Sequence, residues 1–108
     1  MAAFDPRKTH YKHTPLANVD GAITIDADAD HAWVVEEIDW SYSAAPTGGK
    51  VSILYDLVLK WRLDVPNAGL GSFRFPNGFF QTVKNQELYV KLTAGGAGVT
   101  GKLAIRVR

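Results

Sequence analysis

The sequence predicts an all-β protein, an antiparallel β-sandwich of jelly-roll type preceded by an extended N-terminal arm. Three observations carry this expectation. Apolar residues recur at every second position along most of the chain after Asp20, no stretch of ten residues shows a helical period, and the ten glycines sit mainly at the breaks between alternating runs. A chain of 108 residues is of single-domain length, able to bury about 65% of the surface its unfolded form exposes. It divides into an arm over residues 1–19 and a sandwich domain over residues 20–108.

The arm has no sustained hydrophobic period, and Pro6 and Pro15 deny it a helix or an interior strand. Phe4, Tyr11 and Leu16 are spaced among Arg7, Lys8 and Lys12. Such a strip can add main-chain hydrogen bonds to a neighbour's sheet edge while its apolar side chains fill pockets, so these six are candidate interface residues. Ala22-Ile23-Thr24-Ile25 reads as a strand, and a second runs from Trp33 to Ser43 with Ile38, Trp40 and Tyr42 on one face. The doublets Val34-Val35 and Glu36-Glu37 break its alternation, which predicts a bulge near Glu36. Ala45-Pro46-Thr47-Gly48-Gly49 then supplies a turn.

From Val51 to Val65 every odd position is apolar. That run exceeds the usual strand length, so a tight turn near Asp56 is expected, with the odd-numbered stripe facing the interior from both strands. Pro66-Asn67-Ala68-Gly69 ends the second of these, and Phe73-Arg74-Phe75 is a short apolar segment halted by Pro76-Asn77-Gly78. Phe79 and Phe80 follow; adjacent strand residues point to opposite faces, so one of them needs cover beyond a one-sided core or lies in a loop. Both join the candidate interface. Strands over Gln86–Thr93 and Lys102–Val107 bring the total to about eight, a number suited to a jelly roll.

The stretch Gly96-Ala97-Gly98-Val99-Thr100-Gly101-Lys102 fits the first seven positions of a phosphate-binding loop. The eighth is Leu103, which has no hydroxyl for Mg²⁺, and Leu103, Ile105 and Val107 alternate as a strand where a helix is required. Strand, glycine-rich turn and strand form a hairpin in this reading, and no nucleotide cofactor is expected.

Net charge is +1 but unevenly laid out. Residues 1–18 carry +2, residues 19–49 carry −7 with no Lys or Arg, and residues 50–108 carry +6. The segments can neutralise one another within the fold or leave faces of opposite sign for docking. Basic residues spread through strands and opposed by acids do not make a nucleic-acid surface. The absence of cysteine excludes disulfides, thiolate zinc sites and thiol nucleophiles. No apolar run reaches the length of a membrane span, and the polar start MAAFDPRKTHYKH does not resemble a secretion signal. A soluble protein is expected.

Two arrangements imitate metal sites. Asp26, Asp28 and Asp30, with Glu37 in twelfth place, follow calcium-loop spacing, but His31 occupies the position where such a loop needs glycine. His10 and His13 lack a third fixed ligand. A solvated acidic turn and polar arm residues are the readings adopted, with no metal. No spacing pairs a nucleophile with a base and an orienting group, so no enzymatic activity is expected. Trp33, Trp40 and Trp61 fit inward strand positions.

Trp40-Ser41-Tyr42-Ser43-Ala44-Ala45-Pro46-Thr47-Gly48-Gly49 and Leu92-Thr93-Ala94-Gly95-Gly96-Ala97-Gly98-Val99-Thr100-Gly101-Lys102-Leu103 resemble a group of short phage and prophage proteins. The likeness runs from about Asp39 to the C-terminus; Asp56 and Leu57 stand where the group carries hairpin glycines. The resemblance implies a small all-β virion component, assembled in the host cytoplasm. Its implied role is capsid decoration (cement) or tail association, its partners the major capsid protein or other virion proteins, and its state a homo-oligomer, a trimer foremost. A receptor- or carbohydrate-binding module of a tail or head fibre is the alternative.

Overall fold

A computed structural model describes residues 9–14, 16–79 and 84–108, and within them the alternating runs become eight strands. These are β1 (Thr9–His13), β2 (Gly21–Ile25), β3 (Val35–Tyr42), β4 (Lys50–Tyr55), β5 (Val58–Asp64), β6 (Gly69–Phe79), β7 (Leu88–Leu92) and β8 (Gly101–Val107). They form two four-stranded sheets, a first with the order β1-β8-β3-β6 and a second with the order β2-β7-β4-β5. Every pairing is antiparallel, and β1 meets β8, β2 meets β7, β3 meets β6 and β4 meets β5. One long antiparallel hairpin of strand pairs is thus rolled up on itself, which is the jelly roll expected from the sequence. No helix among the described residues is long and apolar enough to cross a membrane.

The core lies between the sheets and is built from the alternating positions. Ile38, Trp40 and Tyr42 of β3 and Leu103, Ile105 and Val107 of β8 meet Val51, Ile53 and Tyr55 of β4 and Leu88, Val90 and Leu92 of β7. Each such side chain contributes about 1.5–3 kcal/mol by leaving water. Two tyrosines keep their hydroxyls satisfied while buried: Tyr42 donates to the Thr93 carbonyl at 2.6 Å and Tyr55 to the Trp33 carbonyl at 3.2 Å. Burial pushes both phenols above their ordinary pKa. Gly71 on β6 leaves room for the Trp40 ring, which a Cβ there would strike.

The bulge expected near Glu36 is present, since Val35 pairs with Val107 and Glu37 with Arg106, leaving Glu36 as the extra residue. Four sequence expectations need correction. Pro76-Asn77-Gly78 does not halt the strand at Phe75. β6 continues to Phe79, and Phe75–Gly78 oppose Glu36 as a wide irregularity, where a proline costs no ladder bond.

The stripe from Val51 to Val65 breaks in the second strand. Ile53 pairs with Trp61 but Leu54 pairs with Leu59, so Lys60 is inserted and Leu59 comes to lie opposite an outward residue. Trp61 and Leu63 stay partly buried against the core; Leu59 does not. The turn itself falls where expected, on Asp56 and Leu57, both with positive φ (48° and 66°).

The glycine-rich stretch is no hairpin, because β7 and β8 belong to different sheets. It is an arch that crosses the end of the sandwich, with Gly96 and Gly98 at positive φ. Finally, part of the segment expected as an extended arm for a neighbour's sheet edge is strand β1 of this chain's own fold. Thr9 to His13 pair with Val107 to Leu103 of this chain's own first sheet, at its edge, as the prolines require. The His13 Nδ1 accepts from the Ala22 N–H at 2.9 Å and stitches this edge to that of the second sheet.

Candidate functional site

The opposite edge, between β5 and β6, is closed by aromatic rings. Trp61 of β5 packs on Phe73 and Phe75 of β6 with ring centroids 5.3 and 5.2 Å away, and the two phenylalanines lie 4.8 Å apart. Phe75 points into the core, whereas Phe73 is 38% exposed. At the end of this edge the β4–β5 tip presents three successive aliphatic residues to solvent: Leu57 at 73%, Val58 at 55% and Leu59 at 51% exposure. Asp56 anchors the tip by exchanging backbone and side-chain hydrogen bonds with Glu87.

A second apolar feature lies on the outer face of the first sheet. Register places Leu70, Ser41 and Lys102 in one row across β6, β3 and β8, and Ser72, Asp39 and Ala104 in the next outward row. Leu70 is 93% exposed. Leu70, Ser41, Lys102, Asp39 and Ala104, with Thr14, border an open groove of about 330 Å³.

Farther along the same face the outward side chains are charged. Glu36, placed by its bulge, meets Arg106 at 3.5 Å and Arg108 at 3.4 Å, and Glu37 takes Arg74 at 3.1 Å. A hydrogen bond with Asp39, followed by the Arg74 guanidinium, holds the Glu37 carboxyl below its ordinary pKa. Together with Lys91 to Asp20 at 3.4 Å, these contacts join the acidic segment 19–49 to the basic segment 50–108. Part of the charge segregation is therefore cancelled between neighbouring strands.

The calcium-like stretch is a turn between β2 and β3. Asp28 accepts from the Asp30 N–H at 2.8 Å through its side chain and from the His31 and Asn85 N–H groups through its carbonyl, and the Trp33 indole donates to the Asp26 carbonyl. The aspartates thus do turn chemistry, and among the described residues no group of three or more His, Cys, Asp or Glu could hold a metal ion.

Of the interface residues expected from sequence, Phe4, Arg7, Lys8 and Phe80 lie outside the described residues. Tyr11 and Lys12 sit in β1 opposite Ile105 and Ala104, and Phe79 in β6 opposite Val35; their side chains lie outside what is described. Leu16 follows β1 and is 82% exposed. The apolar tip and Leu70 were missed, and only the replaced glycines at Asp56 and Leu57 hinted at the former.

No family model matches the sequence, and no curated protein matches it. Among solved structures, the chain is similar to PirA with a TM-score of 0.50 at 12% identity, covering 92% of this chain and 93% of that one. It is equally similar, with a TM-score of 0.50 at 10% identity, to the insecticidal delta-endotoxin Cry8Ea1 from Bacillus thuringiensis, covering 89% of this chain and 18% of the endotoxin chain. The CBM36-1 domain of a multidomain xylanase from the hindgut metagenome of Trinervitermes trinervoides aligns with a TM-score of 0.46 at 10% identity, over 91% of this chain and 89% of that one. At such identities the likeness to PirA and the endotoxin is one of fold: an all-β sandwich.

Proposed function

We propose that this chain is a structural protein of a phage virion, a capsid decoration (cement) protein that binds the head lattice as an oligomer, in a trimer at three-fold positions. The observation that carries the reading is the exposed apolar surface at Leu57, Val58, Leu59, Leu70 and Phe73 on a sandwich whose core is already filled. Apolar residues left on a packed domain call for a partner surface. The phage-like wording from Asp39 onward supplies the virion context. In this reading the arm residues Phe4, Arg7 and Lys8 reach a neighbouring capsid subunit, and several weak contacts made at once by an oligomer give firm attachment.

The experiment is reconstitution. Purified protein is added to particles assembled without its gene, and occupancy is read by sedimentation and protein staining. Saturable binding supports the reading, and deletion of residues 2–8, which spares β1, should reduce it. Protein that stays in the supernatant overturns it.

The exposed ring of Phe73 beside Trp61 favours a second reading, a receptor- or carbohydrate-binding module in which a sugar ring stacks on this edge. A glycan that shifts or quenches Trp61 fluorescence, with loss of the effect in Phe73→Ala, would select it.

A further inference from the structure

We infer that the β4–β5 tip of one copy seats in the groove on the outer face of the first sheet of a second copy. Leu57 is the starting point. It holds a left-handed conformation (φ 66°) that a bulky side chain adopts only under strain, and its side chain stands in solvent. A side chain 73% exposed gains little burial from the described residues to offset that cost, which points to a contact outside the chain. The inserted Lys60 turns Leu59 outward as well, so that Leu57, Val58 and Leu59 make one apolar finger. Its turn is fixed beforehand by the Asp56 and Glu87 hydrogen bonds, which lowers the ordering cost of docking.

The groove is apolar like the finger and carries charges that complement it. It is open and bordered by the exposed Leu70, and Lys102 and Asp39 stand at its rim. The finger is flanked by Asp56 and Lys60. Seated with Asp56 toward Lys102 and Lys60 toward Asp39, opposite charges meet at both ends of an apolar contact, which fixes its orientation. The finger belongs to the second sheet and the groove to the outside of the first, so the two halves come from different molecules. A contact between unlike patches closes into a ring or grows as a chain. The inference deepens the oligomer proposed above, for which closure at three is required, but it concerns the isolated protein and not the capsid.

The test is sedimentation velocity on the full chain over a dilution series. Wild type should self-associate, and Leu57→Gly/Leu59→Ser (finger) or Leu70→Glu (groove) should each raise the dissociation constant at least tenfold while keeping the wild-type circular dichroism spectrum. Leu57→Gly alone should weaken association and yet hold or raise the thermal midpoint, because glycine relieves the left-handed turn. A mixture of the finger and groove variants should form a one-to-one dimer and nothing larger, since each supplies one sound half. A wild type that stays monomeric, variants that associate as wild type does, or a mixture that does not dimerise overturns the inference. Wild type that remains monomeric but floats with phosphatidylcholine vesicles, lost in Leu57→Gly, would assign the finger to lipid instead. Association as described without binding to particles would leave the inference standing and sink the capsid reading; the reverse result would do the opposite.

Discussion

Asp56 and Glu87 hold each other through two hydrogen bonds, the Asp56 N–H to the Glu87 carbonyl at 3.0 Å and the Glu87 N–H to Asp56 Oδ1 at 2.8 Å. The first depends on the backbone alone; the second needs a side-chain oxygen at a residue with positive φ. Asp56→Ala should therefore cost about 1–2 kcal/mol, the loss of a charge-assisted bond plus a less tolerant left-handed residue. Asp56→Asn keeps an acceptor and tolerates the conformation, and should cost less than half as much. Urea titration of the two variants checks the order.

Trp40 and Trp61 look alike in the sequence, both at inward strand positions, but Trp40 is buried and Trp61 is only partly covered at an edge. Trp40→Ala should cost about 3–5 kcal/mol as a core truncation. Trp61→Ala should cost about 1–3 kcal/mol, much of it from the Phe73 and Phe75 contacts. Equal losses in denaturant titration would show that the edge is as closed as the centre.

Glu37 sets an acid limit. Its folded pKa lies below its unfolded value, first through Asp39 and then through Arg74, so its contribution is present above the unfolded value and is lost as pH falls through the folded one. The thermal midpoint should thus decline below about pH 4.3, and less steeply in Glu37→Gln. Tyr55 acts at the other end. Its raised pKa means that stability is lost as pH rises beyond about 10, the unfolded value. Tyr55→Phe should flatten that alkaline fall in a pH series of melting curves.

Lys102 is exposed on the outer face of the first sheet, and the glycines before it form an arch between sheets. Lys102→Ala should leave stability within about 0.5 kcal/mol of wild type. Calorimetry with ATP or GTP should give no binding heat for either protein.

Much of the strand pattern was legible because burial on one face forces alternation, and the doublets at Val34 to Glu37 announced their bulge by breaking it. The insertion at Lys60 was not legible, since Leu57, Leu59, Trp61 and Leu63 alternate without a fault and only the pairing with Leu54 reveals the extra residue. Pro76 and Gly78 read locally as a stop, although a bulge on an edge strand accepts both. The glycine-rich arch shows the same limit, because whether two successive strands pair or part depends on the whole roll. Leu70 stood in no pattern at all. Its groove joins residues of β6, β3 and β8 that are far apart in sequence.

Electron cryomicroscopy of particles assembled with and without the gene tests the proposed decoration of a phage head. A decoration protein should give difference density of jelly-roll size, repeated on the head lattice as three-fold clusters on the outer surface. Particles with no difference density on the head, or density confined to the tail, would contradict it.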